Sequence, residues 1–225
     1  MTSQSEPRAI ILAAGRGRRL GDRTLETPKC MLPVGSGPLL AHQLEMLRAN
    51  GIRRICLVVG HQGDRIREYA GDGCEFVENP RHAETNSLYS LWLTRDWGKG
   101  PLVVLNSDVL AHPTIYARMC RGLGNAIAYD GRSGGEPEHM KVTLRGHDLV
   151  DVGKAIPRER SHGESIGMLR FDEAGAEKLY AIAHALISAG RIGDWAPAAL
   201  ALLVRSVPVL AIPVNGLPWI ELDFE

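Results

Sequence analysis

Short apolar runs separated by helical patterns dominate the first half of the chain. Residues 9–12, 55–59 and 101–105 are apolar at nearly every position, which is typical of strands buried on both faces of a sheet. Between the first two runs, leucines recur at helical spacing after Pro38, and Gly51 ends the pattern. This alternation predicts a single α/β domain with a mostly parallel twisted sheet flanked by helices.

The second half of the chain continues the alternation of strands and helices. The apolar run 126–130 predicts a strand, and the segments around Lys141 and Lys154 also have strand-like patterns. Helices are predicted over 112–121, over 172–188 with Asp172 as N-cap, and over 194–204, followed by a strand over 207–214. Alternation across residues 220–223 predicts a last strand with the carboxylates of Glu221 and Asp223 on one side.

Composition limits the classes of function. The chain has 225 residues, 44% of them hydrophobic, and its 26 basic residues balance 26 acidic ones. This size predicts one domain, and the balanced charge argues against a nucleic-acid or anionic-membrane surface. Its four cysteines lack C-x-x-C spacing, no signal-peptide pattern is present, and no run reaches the ~20 apolar residues of a membrane helix. We therefore expect a soluble cytoplasmic protein that acts alone or as a homo-oligomer.

A glycine-containing loop follows the first strand. Gly15 and Gly17 present no side chain, so backbone N–H groups can approach a phosphate chain closely. Neither the dinucleotide-binding glycine pattern nor the P-loop pattern fits, since Leu20 stands where the former needs glycine and the latter has no match. The loop is therefore either a tight turn or a polyphosphate site, and the second reading is favoured by five nearby cations: Arg16, Arg18, Arg19, Arg23 and Lys29.

The longer pattern L-A-A-G-x-G-x-R, followed by T-P-K, is more specific than the loop alone. With it the chain resembles the nucleotidyltransferases that make nucleotide-activated sugars and alcohols. The resemblance implies a Rossmann-like nucleotidyltransferase domain in which this loop cradles a nucleoside triphosphate. It also implies that Arg19 holds the β and γ phosphates and that Lys29 meets the phosphates at the reacting centre. The nucleotide-binding residues implied here are Leu12, Ala13, Ala14, Gly15, Gly17, Arg18 and Arg19.

The segment 79–93, N-P-R-H-A-E-T-N-S-L-Y-S-L-W-L, begins with a turn signal and ends with a helical pattern. Asn86, Ser87 and Ser90 lie near the helix start, where asparagine and serine commonly cap a helix. The segment also resembles the cytidylyltransferases that act on phosphocholine and on phosphonates, in which this region lines the nucleotide pocket. The resemblance implies that Asn79, Asn86, Ser87 and Ser90 take part in binding CTP.

Asp108 follows the third apolar run, at the edge where open α/β sheets bind ligands. Its carboxylate suits Mg²⁺, and capping of the following turn is the alternative role. The family resemblance implies that Asp108 and Asp223 together hold one Mg²⁺, with Glu221 in a supporting position. Members of that family usually continue with a further helix. We therefore expect this chain to be a shortened form or the N-terminal module of a longer protein.

The order M-K-V, then K, then G-E-S-I-G in the second half also resembles these cytidylyltransferases. It implies an acceptor-side lid over residues 127–170, with acceptor-binding roles for Asp130, Lys141, Lys154 and Glu164. That region holds one aromatic residue, Tyr129, whereas a quaternary ammonium is best bound in an aromatic cage. The region therefore favours a small phosphonate over phosphocholine, unless aromatic residues from elsewhere complete a cage: Tyr180, Trp195 or Trp219.

These observations predict a Mg²⁺-dependent cytidylyltransferase. It would transfer CMP from CTP to 2-aminoethylphosphonate or 2-hydroxyethylphosphonate and release pyrophosphate, with Lys29, Arg19 and Asp108 as the catalytic residues. The chain shows no convincing Ser-His-Asp or paired acid/base arrangement, which agrees with a reaction that needs no general base. The alternatives are phosphocholine as acceptor, a sugar or inositol phosphate as acceptor, and a CTP-binding regulatory module without catalysis.

Overall fold

The computed structural model of the protein describes residues 6–17 and 26–222. Its strands are β1 (Arg8–Ala13), β2 (Pro33–Val34), β3 (Gly37–Pro38), β4 (Arg54–Val59), β5 (Glu75–Glu78), β6 (Leu102–Asn106), β7 (Val109–Ala111), β8 (Ala126–Asp130), β9 (Lys141–Arg145), β10 (Asp148–Gly153), β11 (Gly163–Phe171), β12 (Leu210–Pro213) and β13 (Trp219–Glu221). Its α-helices are α1 (Leu39–Ala49), α2 (Gly63–Ala70), α3 (Ser87–Leu93), α4 (Pro113–Arg121), α5 (Glu173–Ser188) and α6 (Pro197–Leu203).

Nine of these strands form one central sheet in the order β5-β4-β1-β6-β11-β8-β12-β10-β9, and β9 also pairs with the start of β11. Neighbours from β5 to β6 are parallel, as predicted. Beyond β6 the sheet is mixed, because β11 runs antiparallel to β6 and β8, and β10 runs antiparallel to β12 and β9. The predicted α/β class is confirmed, but the continuous run of parallel strands ends at β6, and among the described strands beyond it only β8 and β12 are parallel neighbours.

Both faces of the sheet are buried beneath helices. Along β1, Ile10 and Leu12 join a core cluster with α3, α5 and α6, whereas Ile11 and Ala13 join a second cluster with α1, α2 and α4. This division follows from the two-residue period of a strand. Each fully buried leucine or isoleucine side chain contributes roughly 1.5–3 kcal/mol. The two clusters therefore hold β1 from both sides.

Most predicted elements are present, with shifted ends. α5 begins as predicted, since Asp172 Oδ1 accepts a hydrogen bond of 2.7 Å from Gly175 N. The helix predicted over 194–204 is shorter, because it begins at Pro197, which suits the first turn. β13 ends at Glu221, and Asp223 lies outside the described residues.

The segment 127–170, predicted as an acceptor-side lid, supplies strands to the central sheet. It contains β9 and β10 and most of β8 and β11. Lys141 is the first residue of β9, whereas Lys154 lies in a turn, because β10 ends at Gly153. Within the described part of the chain, none of the helices has the length and apolar character needed to span a bilayer.

Candidate active site

A cavity of about 1140 Å³ opens at one edge of the sheet, where the parallel strands β1, β4, β5 and β6 end. In the sheet, β4 lies on one side of β1 and β6 lies on the other, so the order of the strands reverses at β1. The cavity therefore lies at a topological switch point, where such sheets bind ligands. Many of the predicted site residues line it: Leu12, Ala14, Gly15, Gly17, Lys29, Asn79, Asn86, Ser87, Ser90, Asp108, Lys154 and Glu164.

The loop 15–17 runs directly from β1 into the cavity. Gly17 has φ of +63°, in the left-handed region that favours glycine. Leu12 and Ala14 face the cavity, whereas Ala13 packs into the core on the opposite face, because successive strand side chains alternate. Ala13 therefore forms no part of the wall. Arg18 and Arg19, predicted to bind the nucleotide, lie outside the described residues.

A second loop, after β4, packs closely against the first. His61 N donates to Ala14 O at 3.2 Å, and a Cβ atom on Gly60 would lie 2.8 Å from that oxygen. Only glycine at position 60 permits this approach without a shift of backbone. His61 and His82 both line the cavity, and the sequence analysis missed them. A signal was present, since Gly60-His61 follows a buried strand at the same edge as loop 15–17.

Lys29 and Asp108 form an ion pair, with Lys29 Nζ 2.8 Å from Asp108 Oδ2. Lys29 begins a single 3₁₀ turn, and Asp108 lies in the turn between β6 and β7. Their side chains are 11% and 18% exposed, so water screens the pair less than it screens a surface salt bridge. Cys30 is no nucleophile here, because burial raises the pKa of its thiol to about 12. The candidate catalytic side chains at this position are therefore the two charged groups, Lys29 and Asp108.

Asp108 also fits a divalent cation. Its Oδ1 atom is buried and has no hydrogen-bond partner among the described residues. A carboxylate oxygen of this kind suits Mg²⁺, which commonly uses one or two protein carboxylates, water and substrate phosphates. No group of three or more His, Cys, Asp and Glu side chains in ranges 6–17 and 26–222 is arranged to hold a metal. Within those ranges, Asp108 is the carboxylate best placed to hold Mg²⁺.

Asn79 is used within the protein itself. It is 1% exposed, and its Nδ2 donates to Thr85 Oγ1 at 3.1 Å and to Ser90 Oγ at 3.0 Å. Its Oδ1 accepts from Arg81 N at 3.0 Å. Both amide hydrogens are thus engaged, so Asn79 shapes the loop before α3 and has no side-chain hydrogen left for a nucleobase.

Asn86 and Ser87 combine capping with a position on the wall. Asn86 Oδ1 accepts from Ser87 N at 2.8 Å and so caps α3. Ser87 Oγ accepts from Ala196 N at 2.8 Å, which ties the start of α3 to the start of α6. Among the described contacts, Asn86 Nδ2 donates no hydrogen bond. It is therefore a side-chain donor available at this end of the cavity.

Glu164, on β11, provides a buried carboxylate at the other end of the cavity. It is 6% exposed, its Oε2 accepts a hydrogen bond from Ser133 Oγ, and His139 Nδ1 lies 3.4 Å from the same oxygen. Gly134 N donates to His139 Nδ1 at 3.1 Å, so the neutral imidazole carries its proton on Nε2. The Glu164 carboxylate therefore has the Ser133 hydroxyl as its side-chain hydrogen-bond donor, with the His139 imidazole beside it.

Lys154 lies on the same side of the cavity, over an aromatic ring. Its Nζ is 4.7 Å from the ring centroid of Trp195 and 3.1 Å from Glu138 Oε2. Trp195 is 44% exposed and lines the cavity, as does Trp219. The segment 127–170 contains only one aromatic residue, but Trp195 and Trp219 from the last third of the chain add two aromatic rings to this wall.

The structure revises two acceptor-binding predictions, because Asp130 and Lys141 lie behind the described wall rather than on it. Lys141 is 4% exposed, and its Nζ donates to Lys154 O at 2.6 Å. Asp130 accepts from Arg132 N at 2.9 Å through Oδ1 and from Trp219 Nε1 at 2.9 Å through Oδ2. Lys141 therefore supports the turn that carries Lys154, and Asp130 supports Trp219. Tyr180 is also remote, since its hydroxyl pairs with Thr94 at 2.8 Å in the core.

A family comparison agrees with this geometry, since residues 9–186 match the model of the MobA-like NTP transferase domain. The chain belongs to this nucleotidyltransferase family. It is 38% identical over 117 residues to CMP-5'-(3-aminopropyl)phosphonate synthase of Streptomyces rubellomurinus, a match that covers 50% of this chain and 19% of that protein. It is 40% identical over 92 residues to choline-phosphate cytidylyltransferase of Streptococcus pneumoniae, covering 40% of this chain and 39% of that protein. The chain thus spans less than half the length of these two relatives.

Solved structures share the fold. The CTP:phosphocholine cytidylyltransferase of Streptococcus pneumoniae superposes with a TM-score of 0.82 at 24% identity, covering 97% of this chain and 94% of that one. The inositol-1-phosphate CTP transferase of T. maritima gives a TM-score of 0.80 at 22% identity, covering 98% and 91%. These values establish the fold, and the match to the nucleotidyltransferase family supports an enzymatic role for the chain.

Proposed function

We propose that the protein is a Mg²⁺-dependent cytidylyltransferase that transfers CMP from CTP to a small phosphonate. The observation that carries the proposal is the Lys29–Asp108 pair, which lies in one cavity with the loop 15–17 and with Glu164. A glycine loop suits a triphosphate, and a buried carboxylate suits an ammonium group. One wall of the cavity therefore suits an anionic group and another suits a cationic group, as a transferase with two substrates requires.

The reaction joins the two substrates at phosphorus. An oxygen of the phosphonate attacks the α-phosphorus of CTP, an O–P bond forms, and the bond from that phosphorus to the β-phosphate breaks. Pyrophosphate leaves with the electron pair of the broken bond. The attacking oxygen already carries negative charge near neutral pH, so the protein needs no general base. Catalysis then depends on positioning and on stabilising charge at phosphorus.

Lys29 and Asp108 carry the proposed chemistry. Lys29 Nζ would neutralise charge that gathers on the phosphate oxygens in the transition state, assisted by Arg19. The free Oδ1 of Asp108 would hold Mg²⁺ together with Asp223. Support for this second ligand comes from Leu222, whose N donates to Asp108 O at 2.9 Å, one residue before Asp223. When bound, Mg²⁺ supplies positive charge to the phosphate oxygens.

The proposed base site lies between the loop 15–17 and α3. Asn86 Nδ2 is a donor suited to the acceptor atoms O2 and N3 of cytosine, whereas uracil presents a donor at N3. Ser87 and Ser90 line the same wall. Asn79 would act by holding this loop in shape. A site built on such hydrogen bonds rejects a base that leaves them unpaired.

The proposed acceptor site uses Glu164 for an ammonium or hydroxyl group and Lys154 for the phosphonate. Lys154 already covers the face of Trp195, which leaves that ring less available to a quaternary ammonium. This favours 2-aminoethylphosphonate, 2-hydroxyethylphosphonate or a close homologue. The relative named as a CMP-5'-(3-aminopropyl)phosphonate synthase supports the same acceptor class. Phosphocholine is the second candidate, because Trp195 and Trp219 both line the cavity.

The test is release of pyrophosphate in two series of reactions with Mg²⁺. The first compares CTP, UTP, ATP, GTP and dTTP with 2-aminoethylphosphonate, and we expect CTP to be preferred. The second compares 2-aminoethyl-, 2-hydroxyethyl- and 3-aminopropylphosphonate, phosphocholine, inositol phosphate and glucose 1-phosphate with CTP. Faster turnover of phosphocholine or a sugar phosphate would replace the proposed acceptor. CTP binding without turnover of any acceptor would support a regulatory module instead.

A further inference from the structure

A buried glutamine on α1 holds the turn that carries Asp108. Gln43 is 0% exposed, and its Nε2 donates hydrogen bonds of 2.9 Å to Asn106 O and of 2.9 Å to Val109 O. These two carbonyl groups stand immediately before and after the pair Ser107-Asp108. One side-chain amide therefore spans both ends of the turn.

The orientation of this amide follows from its partners. Carbonyl oxygens only accept hydrogen bonds, so the NH₂ group must face Asn106 and Val109. Gln43 Oε1 is then left buried without a hydrogen-bond partner among the described residues, which is unfavourable for stability. Its neighbours along the buried face of α1 are apolar: Leu39, Leu40, Leu44 and Leu47. A glutamine in this environment contributes less to packing than a leucine or methionine, so its value lies in the two hydrogen bonds.

Helix α1 also anchors the segment that carries Lys29. Leu39 N donates to Leu32 O at 3.0 Å, and Leu32 directly follows the 3₁₀ turn Lys29–Met31. The start of α1 thus fixes one member of the ion pair, and Gln43, one turn further along, fixes the other. Both charged groups take their positions from a single rigid helix.

We infer that Gln43 is a positioning residue for Asp108, because it fixes the turn that carries this carboxylate at the cavity wall. This inference rests on the proposed function, in which Asp108 holds Mg²⁺. Gln43 touches neither the cavity nor the reacting atoms. It acts through the backbone, by fixing the Asn106 and Val109 carbonyl groups and so the turn between them. Groups that orient a metal ligand commonly change metal affinity by about 10- to 100-fold when removed.

The experiment measures Mn²⁺ binding to the full chain by electron paramagnetic resonance, with and without CTP, and pyrophosphate release in parallel. Gln43→Met keeps the volume of the side chain and removes both donors. We expect the dissociation constant for Mn²⁺ to rise by about 10- to 100-fold while CTP binding in the presence of EDTA stays within about twofold. Unchanged Mn²⁺ affinity in a folded Gln43→Met protein would overturn the inference.

Thr94→Val is the matched control for a general loss of stability. Thr94 is also 0% exposed and makes two side-chain hydrogen bonds, to Leu91 O at 2.6 Å and to the Tyr180 hydroxyl at 2.8 Å, but it does not line the cavity. We expect its Mn²⁺ affinity to match that of the unmodified protein. An equal loss of affinity in both variants would mean that Gln43 has only a structural role, and would overturn the inference.

Two further comparisons complete the test. If Gln43→Met fails to unfold cooperatively, Gln43→Glu replaces it, since a buried neutral carboxyl keeps one donor and should give an intermediate loss of Mn²⁺ affinity. Unchanged affinity in Gln43→Glu would also overturn the inference. The proposed function is judged separately, by turnover of the unmodified protein and by the Mn²⁺ affinity of Asp108→Asn.

Discussion

Trp219 Nε1 donates a hydrogen bond of 2.9 Å to Asp130 Oδ2. Asp130 ends β8, next to Glu164 on β11, and Trp219 begins β13. Since β13 pairs with β7, the strand that follows the Asp108 turn, this contact joins the acceptor side of the cavity to the Asp108 side. Asp130 thus contributes to the site by fixing an aromatic ring in its wall.

The pKa of Asp130 should depend on Trp219. Burial by itself would raise this pKa, but hydrogen bonds from Trp219 and from Arg132 N, with the Arg132 charge, hold it below the usual value. A lowered folded-state pKa adds stability above the unfolded-state pKa of about 3.9. That stability is lost as pH falls through the folded-state value. We expect Trp219→Phe to raise the Asp130 pKa and to reduce the free energy of unfolding more at pH 6 than at pH 2.

Carbon-13 NMR of the carboxyl groups measures this titration directly, and denaturant unfolding at the two pH values measures its effect on stability. Trp195→Phe is the matched control, because it alters the other cavity tryptophan and leaves the indole of Trp219 in place. An Asp130 pKa that is the same in Trp219→Phe and in the unmodified protein would contradict the assigned cause.

Asp108→Asn should remove most of the activity and leave the fold intact. The amide has the shape of the carboxylate and can still accept a hydrogen bond from Lys29, but it lacks the charge that binds a cation. Metal assistance is worth several kcal/mol, so we expect pyrophosphate release to fall by roughly a hundredfold or more at saturating Mg²⁺. Thermal unfolding and turnover on one preparation provide the measurement. Near-normal turnover of Asp108→Asn would contradict a catalytic role for Asp108.

Lys29→Met should slow the chemical step more than it weakens CTP binding. The ammonium acts where negative charge gathers, and loss of one such group commonly costs roughly 10²–10³ in rate. Single-turnover kinetics separates this rate from CTP affinity. Arg65→Met is the control, because Arg65 Nη1 donates to Thr27 Oγ1 at 3.2 Å, close to Lys29 in the chain, but Arg65 does not line the cavity. Similar small effects in both variants would count against the role of Lys29.

Lys154→Met should shift the choice of acceptor toward phosphocholine. It removes the cation that faces Trp195 and breaks the ion pair with Glu138. A cation on a tryptophan face is worth about 0.5–2 kcal/mol, so the ratio of kcat/KM for 2-aminoethylphosphonate to that for phosphocholine should fall by roughly 2- to 30-fold. Competition between the two acceptors measures the ratio. Lys178→Met, on the exposed face of α5, is the control, and an unchanged ratio in Lys154→Met would contradict the proposed role.

The secondary-structure elements that a local pattern of apolar residues specifies were predictable from the sequence. The buried strands β1, β4 and β6 were recognisable as continuous apolar runs, because both of their faces are covered. The mixed half of the sheet was not predictable in the same way. β11 pairs with β9 at its start, with β6 at its end and with β8 near both ends, and these pairings depend on contacts between distant parts of the chain.

The candidate site was predictable where residues follow a strand at the carboxyl edge. Gly15, Gly17 and Asp108 were found in this way, and His61 satisfied the same criterion but was passed over. Residue type alone did not distinguish a side chain on the wall from one behind it. Lys141 and Lys154 have the same chemistry, but Lys141 is buried against a backbone carbonyl whereas Lys154 reaches the cavity. That difference arises from tertiary packing.

β11 fixes the distance between the two ends of the site. Glu164 lies near its start, and Gly167, three residues later, lies so close to Asn106 that a Cβ atom there would be 2.6 Å from Asn106 Nδ2. Between these residues β11 is irregular, because its register against β8 shifts between Ser165 and Leu169 and Gly167 has φ of +72°. Because β11 pairs with β8 and β9 before this irregularity and with β6 and β8 after it, the spacing between Glu164 and the end of β6 is set before any substrate arrives. We therefore expect the protein to distinguish acceptors by the number of methylene groups between their charged ends. Each added or missing methylene should lower the turnover of the acceptor.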